Sequence, residues 1–151
     1  MIQGKFLFYL DDLSEVFDIR SQVFQKELGI DSKIDEDGLD LEAAHVLVFN
    51  DENKPVATGR LLFGDNNFRI GRVAVLKEER GKYYGDFVVR MLADKAFLMG
   101  AEEVSLCSMC NVQHFYEKIG FESVGDEFEV AGIRHITMVI KNDRVCKKCS
   151  K

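Results

Sequence analysis

The sequence predicts a mixed α/β (α+β) domain: a mostly antiparallel sheet flanked by helices, with one parallel strand pair. Three adjoining stretches carry that expectation. Residues 68–76 are β-branched and aromatic with turn residues on both sides, as in a strand. Residues 77–85 are charged and contain Gly81 and Gly85. Beyond them Phe87, Val88, Met91, Leu92, Ala96 and Met99 recur at helical spacing, opposite a polar stripe of Asp86, Arg90 and Asp94. Gly100 is placed for a left-handed cap. A strand, a glycine loop and a helix in that order make an anion site. The first N–H groups of a helix lack partners, its dipole puts positive charge there, and glycines let a phosphate approach.

The other elements follow in chain order. Residues 5–9 read as a first strand. Asp12 and Glu15 have capping-box spacing ahead of a helix that puts Leu13, Val16, Phe17, Phe24 and Leu28 on one stripe and ends at Gly29. Arg20 falls on that stripe, where a charge is usually snorkelling or salt-bridged. Residues 31–40 are acidic and lack the ligand spacing of a calcium loop, so a solvated loop beside a binding site is expected. Residues 45–50 and 56–63 flank a short turn as a hairpin, and residues 68–76 extend it into an antiparallel meander. Residues 104–108 then return parallel to the central strand by a right-handed crossover. Asn111 is placed to cap a short helix holding Phe115, Tyr116 and Ile119, which stops at Gly120. Residues 121–124, 127–130 and 132–140 are further strands. One domain is expected over residues 1–140, followed by a basic tail, 141–151, that is dispensable for the fold.

Composition narrows the classes. A chain of 151 residues with 46% hydrophobic and 30% charged residues suits one full core. Net charge −6 argues against a nucleic-acid partner. No apolar run reaches membrane-spanning length and the N-terminus lacks a signal-peptide layout, so no membrane partner and a cytoplasmic location are expected. Cys107 and Cys110 form one CxxC pair and Cys146 and Cys149 another, at an interval longer than a zinc ribbon uses. With Cys107 in an expected core strand, no metal site is assigned; the tail pair is left open between metal binding and redox chemistry.

Val73-Ala74-Val75 followed by Arg80-Gly81-Lys82-Tyr83-Tyr84-Gly85 resembles the acyl-CoA signature of the GNAT superfamily of N-acetyltransferases. That pattern is Arg or Gln, two residues, Gly, one residue, then Gly or Ala. Arg80 and Gly85 match; Tyr83 stands where the middle Gly is usual, and a side chain there opposes a positive φ. Phe115-Tyr116 with Gly120-Phe121 resembles a late element of the same superfamily. Arg20, Val23-Phe24, Glu27, Glu36-Asp37 with Asp40, Ala44-His45, Gly59-Arg60-Leu61 and Gly132-Ile133 with His135 and Met138 are similar to its ElaA-like branch. The resemblance spans residues 5–140, with Met109 where the branch often has a polar residue.

The resemblance implies a GNAT fold with the parallel pair splayed at the cofactor site, and direct acetyl transfer from acetyl-CoA to a primary amine on a small molecule or peptide. By the same resemblance Val73, Ala74 and Val75, the loop residues Arg80, Gly81, Lys82, Tyr83, Tyr84 and Gly85, and Asn111 and Tyr116 hold the cosubstrate. The Val73 N–H serves the oxyanion, and Tyr116 protonates the leaving thiolate. Arg20, His45, Arg72 and His135 are acceptor-site candidates, while His45, His135 and Glu42 stand as alternative bases. Arg60 and Arg72 either line the acceptor pocket or pair with acids around Asp37; pairing is favoured, because a buried Arg without a partner is costly. An acyl-homoserine-lactone-synthase-like acyltransferase and a non-catalytic acyl-CoA sensor are the alternatives. The loop at 80–85 favours CoA over a carrier protein, and Tyr116 favours an enzyme. A homodimer is left open.

Overall fold

The structure, a computed structural model, describes residues 2–142. Its strands are β1 (Gln3–Leu7), β2 (Ala44–Phe49), β3 (Pro55–Leu62), β4 (Arg69–Val75), β5 (Glu103–Met109), β6 (Glu122–Val130) and β7 (Ile133–Lys141). They form one sheet in the order β1-β2-β3-β4-β5-β7-β6. Every neighbouring pair is antiparallel except β4 and β5. Those two pair in parallel at Arg69 with Ser105 and Ile70 with Leu106, and nowhere further along. Both strands run on past that point, so a wedge opens between their C-terminal halves. This is the splayed parallel pair, and it positions the site.

Helices cover both faces. Helix α1 (Ser14–Arg20) continues into a π-helical stretch, Ser21–Glu27; α2 is the single turn Ser32–Asp35, α3 is Tyr84–Leu98 and α4 is Gln113–Ile119. Val88, Val89, Leu92 and Ala96 of α3 pack on Val46, Val48 and Leu61. Val16, Ile19 and Val23 pack with Leu47, Ala74 and Leu76 in a second cluster. Adjacent residues of β2 thus enter different clusters, which is why its sequence is apolar throughout rather than alternating. Gly59 marks how closely α3 approaches β3: a Cβ there would lie 2.6 Å from Val88 Cγ1 and 2.9 Å from Leu92 Cδ1. Gly100 takes φ +101° just past the end of α3, as a left-handed cap does.

Several local expectations are corrected. The capping box does not form: Asp12 Oδ1 accepts from the Ser14 N–H at 2.9 Å, and Leu13, with no side-chain bond, precedes the helix. The first helix also loses its α-register. Leu28 donates to the Val23 carbonyl, five residues back, at 3.1 Å. The wider turn swings Leu28 off the buried stripe, to 40% exposure, while Phe24 stays half-buried against the second cluster. The acidic segment is solvated only in part. Asp31 caps α2 by accepting from the Lys33 N–H, and Asp35 and Asp40 are buried, while its other residues are mostly exposed. Asn111 is exposed and caps nothing; α4 starts after Val112 without a side-chain cap. Residues 122–130 form one bulged strand, not two. Cys107 is exposed, because alternation along β5 turns Val104, Leu106 and Ser108 inward instead. Lys141 belongs to β7, so the expected tail starts later. Residues 143–151, with Cys146 and Cys149, lie outside the described residues.

Candidate active site

The wedge between β4 and β5 opens a cleft of about 720 Å³, bounded by the π-helical stretch, the N-terminus of α3, and α4. A smaller cavity of about 180 Å³ lies beside it. Phe24, Leu28, Val73, Met109, Val112 and Tyr116 line both, so the two spaces meet there. Strand β4 presents backbone to the wedge. Leu76 donates its N–H to Val56 O at 3.0 Å, across β3, so the groups of Val75 point the other way.

The loop after β4 builds the anion cradle. Gly81 has φ +82° and Tyr83 φ +69°, ψ 11°. The left-handed conformation at the middle position is therefore kept despite the side chain, at a cost of about 1–2 kcal/mol. Phe87 donates to Tyr83 O at 3.0 Å. The N–H groups of Tyr84, Gly85 and Asp86 precede it in the first turn of α3 and have no intrahelical acceptor. A Cβ on Gly85 would sit 3.4 Å from Phe115 and 3.5 Å from Val75, taking up the floor of the cleft.

Arg80, expected among the residues that hold the cosubstrate, lines the cleft but spends its guanidinium on protein groups. Its Nη1 and Nη2 grip the two Glu27 oxygens at 2.6 and 2.7 Å, and its Nε donates to Val75 O at 3.1 Å. The Arg80 hydrogen bond holds the Glu27 carboxyl below its usual range, and Glu27 in turn raises Arg80. The side chain thus ties the loop to the end of the π-helical stretch and to β4. Lys82 pairs with Glu79 at 3.3 Å and does not line the cleft, and neither does Asn111. Val73, Ala74, Val75, Arg80, Gly81, Tyr83, Tyr84, Gly85 and Tyr116 all do.

Tyr116, on α4, packs edge-to-face against Phe115 at 4.9 Å and Phe121 at 5.9 Å. Burial pushes its phenol up to about 12, so the group stays protonated. Its hydroxyl has no hydrogen-bond partner among the described residues. His135, on β7, lines the smaller cavity with Tyr116. Its Nδ1 lies 2.8 Å from the Ile133 carbonyl. A carbonyl only accepts, so Nδ1 carries a proton, which in the neutral ring leaves the lone pair on Nε2.

Three arginines and three aspartates form a network that reaches the smaller cavity through Asp35 and Arg72. Arg20 bonds Asp35 Oδ1 at 3.0 Å and Asp40 Oδ1 at 2.6 Å. Arg60 bonds Asp37 Oδ1 and Asp40 Oδ1, both at 2.9 Å, and Asp37 Oδ2 at 2.5 Å. Arg72 sits at a bulge in β4 with φ +52° and reaches Ile34 O at 2.8 Å and Asp37 Oδ2 at 3.2 Å. Asp37 is held far below the usual carboxylate range, chiefly by its Arg60 hydrogen bond. Burial would raise Asp40, but bonds and charges from Arg20 and Arg60 outweigh it and leave it lowered. The expected pairing of Arg60 and Arg72 with the acidic segment is present.

Two acceptor-site candidates are misplaced. Arg20, 1% exposed, and His45, fully enclosed, line neither cavity. Arg20 is neutralised by Asp35 and Asp40 inside the fold. His45 Nε2 meets Asp40 O at 2.9 Å, and burial pushes the imidazole below its ordinary value. Glu42 is exposed and borders a separate hollow beside Leu62 and Phe63. Of the three candidate bases, His135 alone shares a cavity with Tyr116.

Residues 19–142 match the Acetyltransferase (GNAT) domain. The chain belongs to the GNAT acetyltransferase family. It is 32% identical over 130 residues to the Bacillus subtilis protein described as uncharacterized N-acetyltransferase YjcF, covering 85% of this chain and 92% of that one. A Bacillus subtilis putative acetyltransferase, BSU40680, is 31% identical over 135 residues, covering 87% and 91%. Among solved structures, Escherichia coli ElaA superposes with a TM-score of 0.83 at 27% identity, covering 93% of this chain and all of that one. A Pseudomonas aeruginosa acyl-CoA N-acyltransferase shares the fold, with a TM-score of 0.80 at 23% identity and coverage of 93% and 99%.

Against the GNAT signature, this chain keeps the loop's shape with Tyr83 where glycine is usual. Sequence reasoning missed Glu27 as the partner of Arg80, and Asp35 and Asp40 as the buried acids of the network. The spacing Asp35-x-Asp37-x-x-Asp40 was a usable signal, since Arg20, Arg60 and Arg72 are three charges on otherwise apolar elements that need three counter-charges.

Proposed function

We propose that the protein is an N-acetyltransferase that moves the acetyl group of acetyl-CoA directly to a primary amine. The observation that carries this reading is the junction of the long cleft and the small cavity at Val73, Met109 and Tyr116. The residues present fit the cosubstrate. Free first-turn N–H groups and left-handed Gly81 and Tyr83 make a cradle for a pyrophosphate, and the backbone of β4 beyond its last pair with β5 suits the amides of a pantetheine arm, apart from the Val75 carbonyl that Arg80 occupies. Acetyl-CoA supplies an acyl carbon activated as a thioester.

The protein's own groups do the rest. The cradle and the Val73 to Val75 backbone bind and orient, with the Val73 N–H as donor to the acyl oxygen. The acceptor enters mostly as ammonium at neutral pH and loses one proton to solvent; as the neutral amine bonds the acyl carbon and the C–S bond breaks, His135 Nε2 takes the second. The Tyr116 hydroxyl hands a proton to the departing sulfur. Phe24, Leu28 and Met109 keep bulk water from the junction.

Calorimetry with acetyl-CoA, and free-thiol release over a panel of primary amines, test the proposal. Saturable binding and amine-dependent thiol release are expected, with kcat lower by about 10²–10⁴ in His135→Gln. A folded protein that binds no acetyl-CoA, or binds it and releases no thiol with any amine, overturns the reading.

A further inference from the structure

The small cavity restricts the acceptor. At about 180 Å³ it is well below the ~300–1,000 Å³ of sites that take drug-sized ligands, so the body of the acceptor is small. Ile34, Ile70, Leu106, Val130 and Ile133 make most of its wall apolar. Its one carboxylate is Asp35, and that group is already occupied. Oδ1 accepts from Arg20 at 3.0 Å and Oδ2 from Gln25 at 3.1 Å. Nothing in the wall is left to hold a second ammonium, which disfavours polyamines and lysine side chains.

Arg72 is the arginine of the network that lines the cavity. Its Nη2 hydrogens are spent on Ile34 O and Asp37 Oδ2, and its Nε donates to Asp35 O at 3.2 Å. Its Nη1 has no partner among the described residues, and the side chain lines the cavity. Asp37 and Asp40 give their shorter bonds to Arg60 and Arg20, so Arg72 receives two carbonyls, one shared Asp37 oxygen at 3.2 Å and a longer approach of its Nε to Asp35 Oδ1 at 3.5 Å. Burial first, and the neighbouring Arg60 second, push this guanidinium below its ordinary pKa, against the pull of Asp37 and Asp35. The bulge re-aims Arg72 out of the strand's regular alternation, with φ in the left-handed region. A strained backbone that presents an incompletely paired guanidinium to an apolar cavity is a carboxylate site.

We infer that the acceptor is a free amino acid with an apolar side chain, its carboxylate received by Arg72 Nη1 and its amine turned toward His135 and Tyr116. This rests on the transferase reading above, and it makes Arg72 the residue that sets acceptor specificity. The test uses matched pairs that differ only by the carboxylate: L-phenylalanine against phenethylamine, and L-leucine against isoamylamine. Thiol release should give a kcat/KM ratio of about tenfold or more in favour of the amino acid. In Arg72→Gln that ratio should collapse toward one, while Arg72→Lys, which keeps charge but not the fork, should fall between. Thermal melts establish that each variant is folded, and the wild-type ratio stands without any variant. Calorimetry with the same pairs reads the preference without turnover. A protein that prefers phenylalanine but releases no thiol therefore overturns catalysis and supports the carboxylate site. Equal use or binding of both members of a pair, a preference for spermidine, or an Arg72→Gln variant with the ratio intact overturns the inference.

Discussion

Replacing Tyr116 by Phe removes one hydroxyl and leaves the ring. The ring is what the fold uses: it lies 4.9 Å from Phe115 and 5.9 Å from Phe121, edge-on to both. The hydroxyl has no partner among the described residues, so no internal hydrogen bond is lost. Stability should therefore change by less than about 0.5 kcal/mol, short of the ~1 kcal/mol of a deleted hydrogen bond. Loss of a general acid should lower kcat by about 10²–10⁴, or roughly 3–5 kcal/mol of transition-state stabilisation. With its phenol pushed up to about 12, Tyr116 stays protonated through the whole accessible range, so the shape of the pH-rate profile should survive the substitution. The assay is stopped-flow thiol release with saturating acetyl-CoA, which separates chemistry from product release, alongside calorimetry and thermal melts. Affinity for acetyl-CoA should hold within about twofold, as expected of a group that acts on the leaving atom. A folded variant whose kcat stays within about threefold of wild type refutes the assignment. So does one whose affinity falls as far as its kcat.

Three more outcomes follow from the geometry. Gly85→Asp puts a Cβ 3.4 Å from Phe115 and a negative charge at the N-terminus of α3, so acetyl-CoA affinity should fall by about tenfold or more in calorimetry. Gly59→Val drives methyl groups into Val88 and Leu92, already 2.6 and 2.9 Å from an ideal Cβ, and should cost about 1–3 kcal/mol or more in urea unfolding. Asp37 has a folded pKa below its unfolded value, chiefly through the Arg60 hydrogen bond, so its contribution is complete above the ordinary ~3.9 and is lost as pH falls through the lower folded value. Urea midpoints should drop below about pH 4 in wild type, and Asp37→Asn should be less stable at neutral pH and show a shallower drop.

Much of the frame is legible in one dimension because its signals are local. The strand at residues 68–76, the glycine loop and the helix that follows each carry their own periodicity or turn chemistry. Gly29, Gly81 and Gly100 do take the positive φ that their places at turns and helix ends suggest. The resemblance carried by the 80–85 loop and by Phe115-Tyr116 was enough to expect the family, since both motifs are short and contiguous.

What escaped the sequence depends on partners far apart in the chain. Arg80 has the residue type of a phosphate ligand, yet Glu27, 53 positions earlier, holds its guanidinium. The acidic segment looks solvated by composition, and its Asp35 and Asp40 are buried where Arg20, Arg60 and Arg72 converge on the segment from one helix and two strands. His45 and His135 are equivalent as letters; one is sealed in β2 by the hairpin pairing, the other faces the cavity from β7. Local sequence determined which elements form, because helices, strands and turns are selected by neighbours a few residues away. The tertiary structure alone decided which charges are spent on one another and which remain free to meet a substrate, because ion pairing and burial are set by proximity in space.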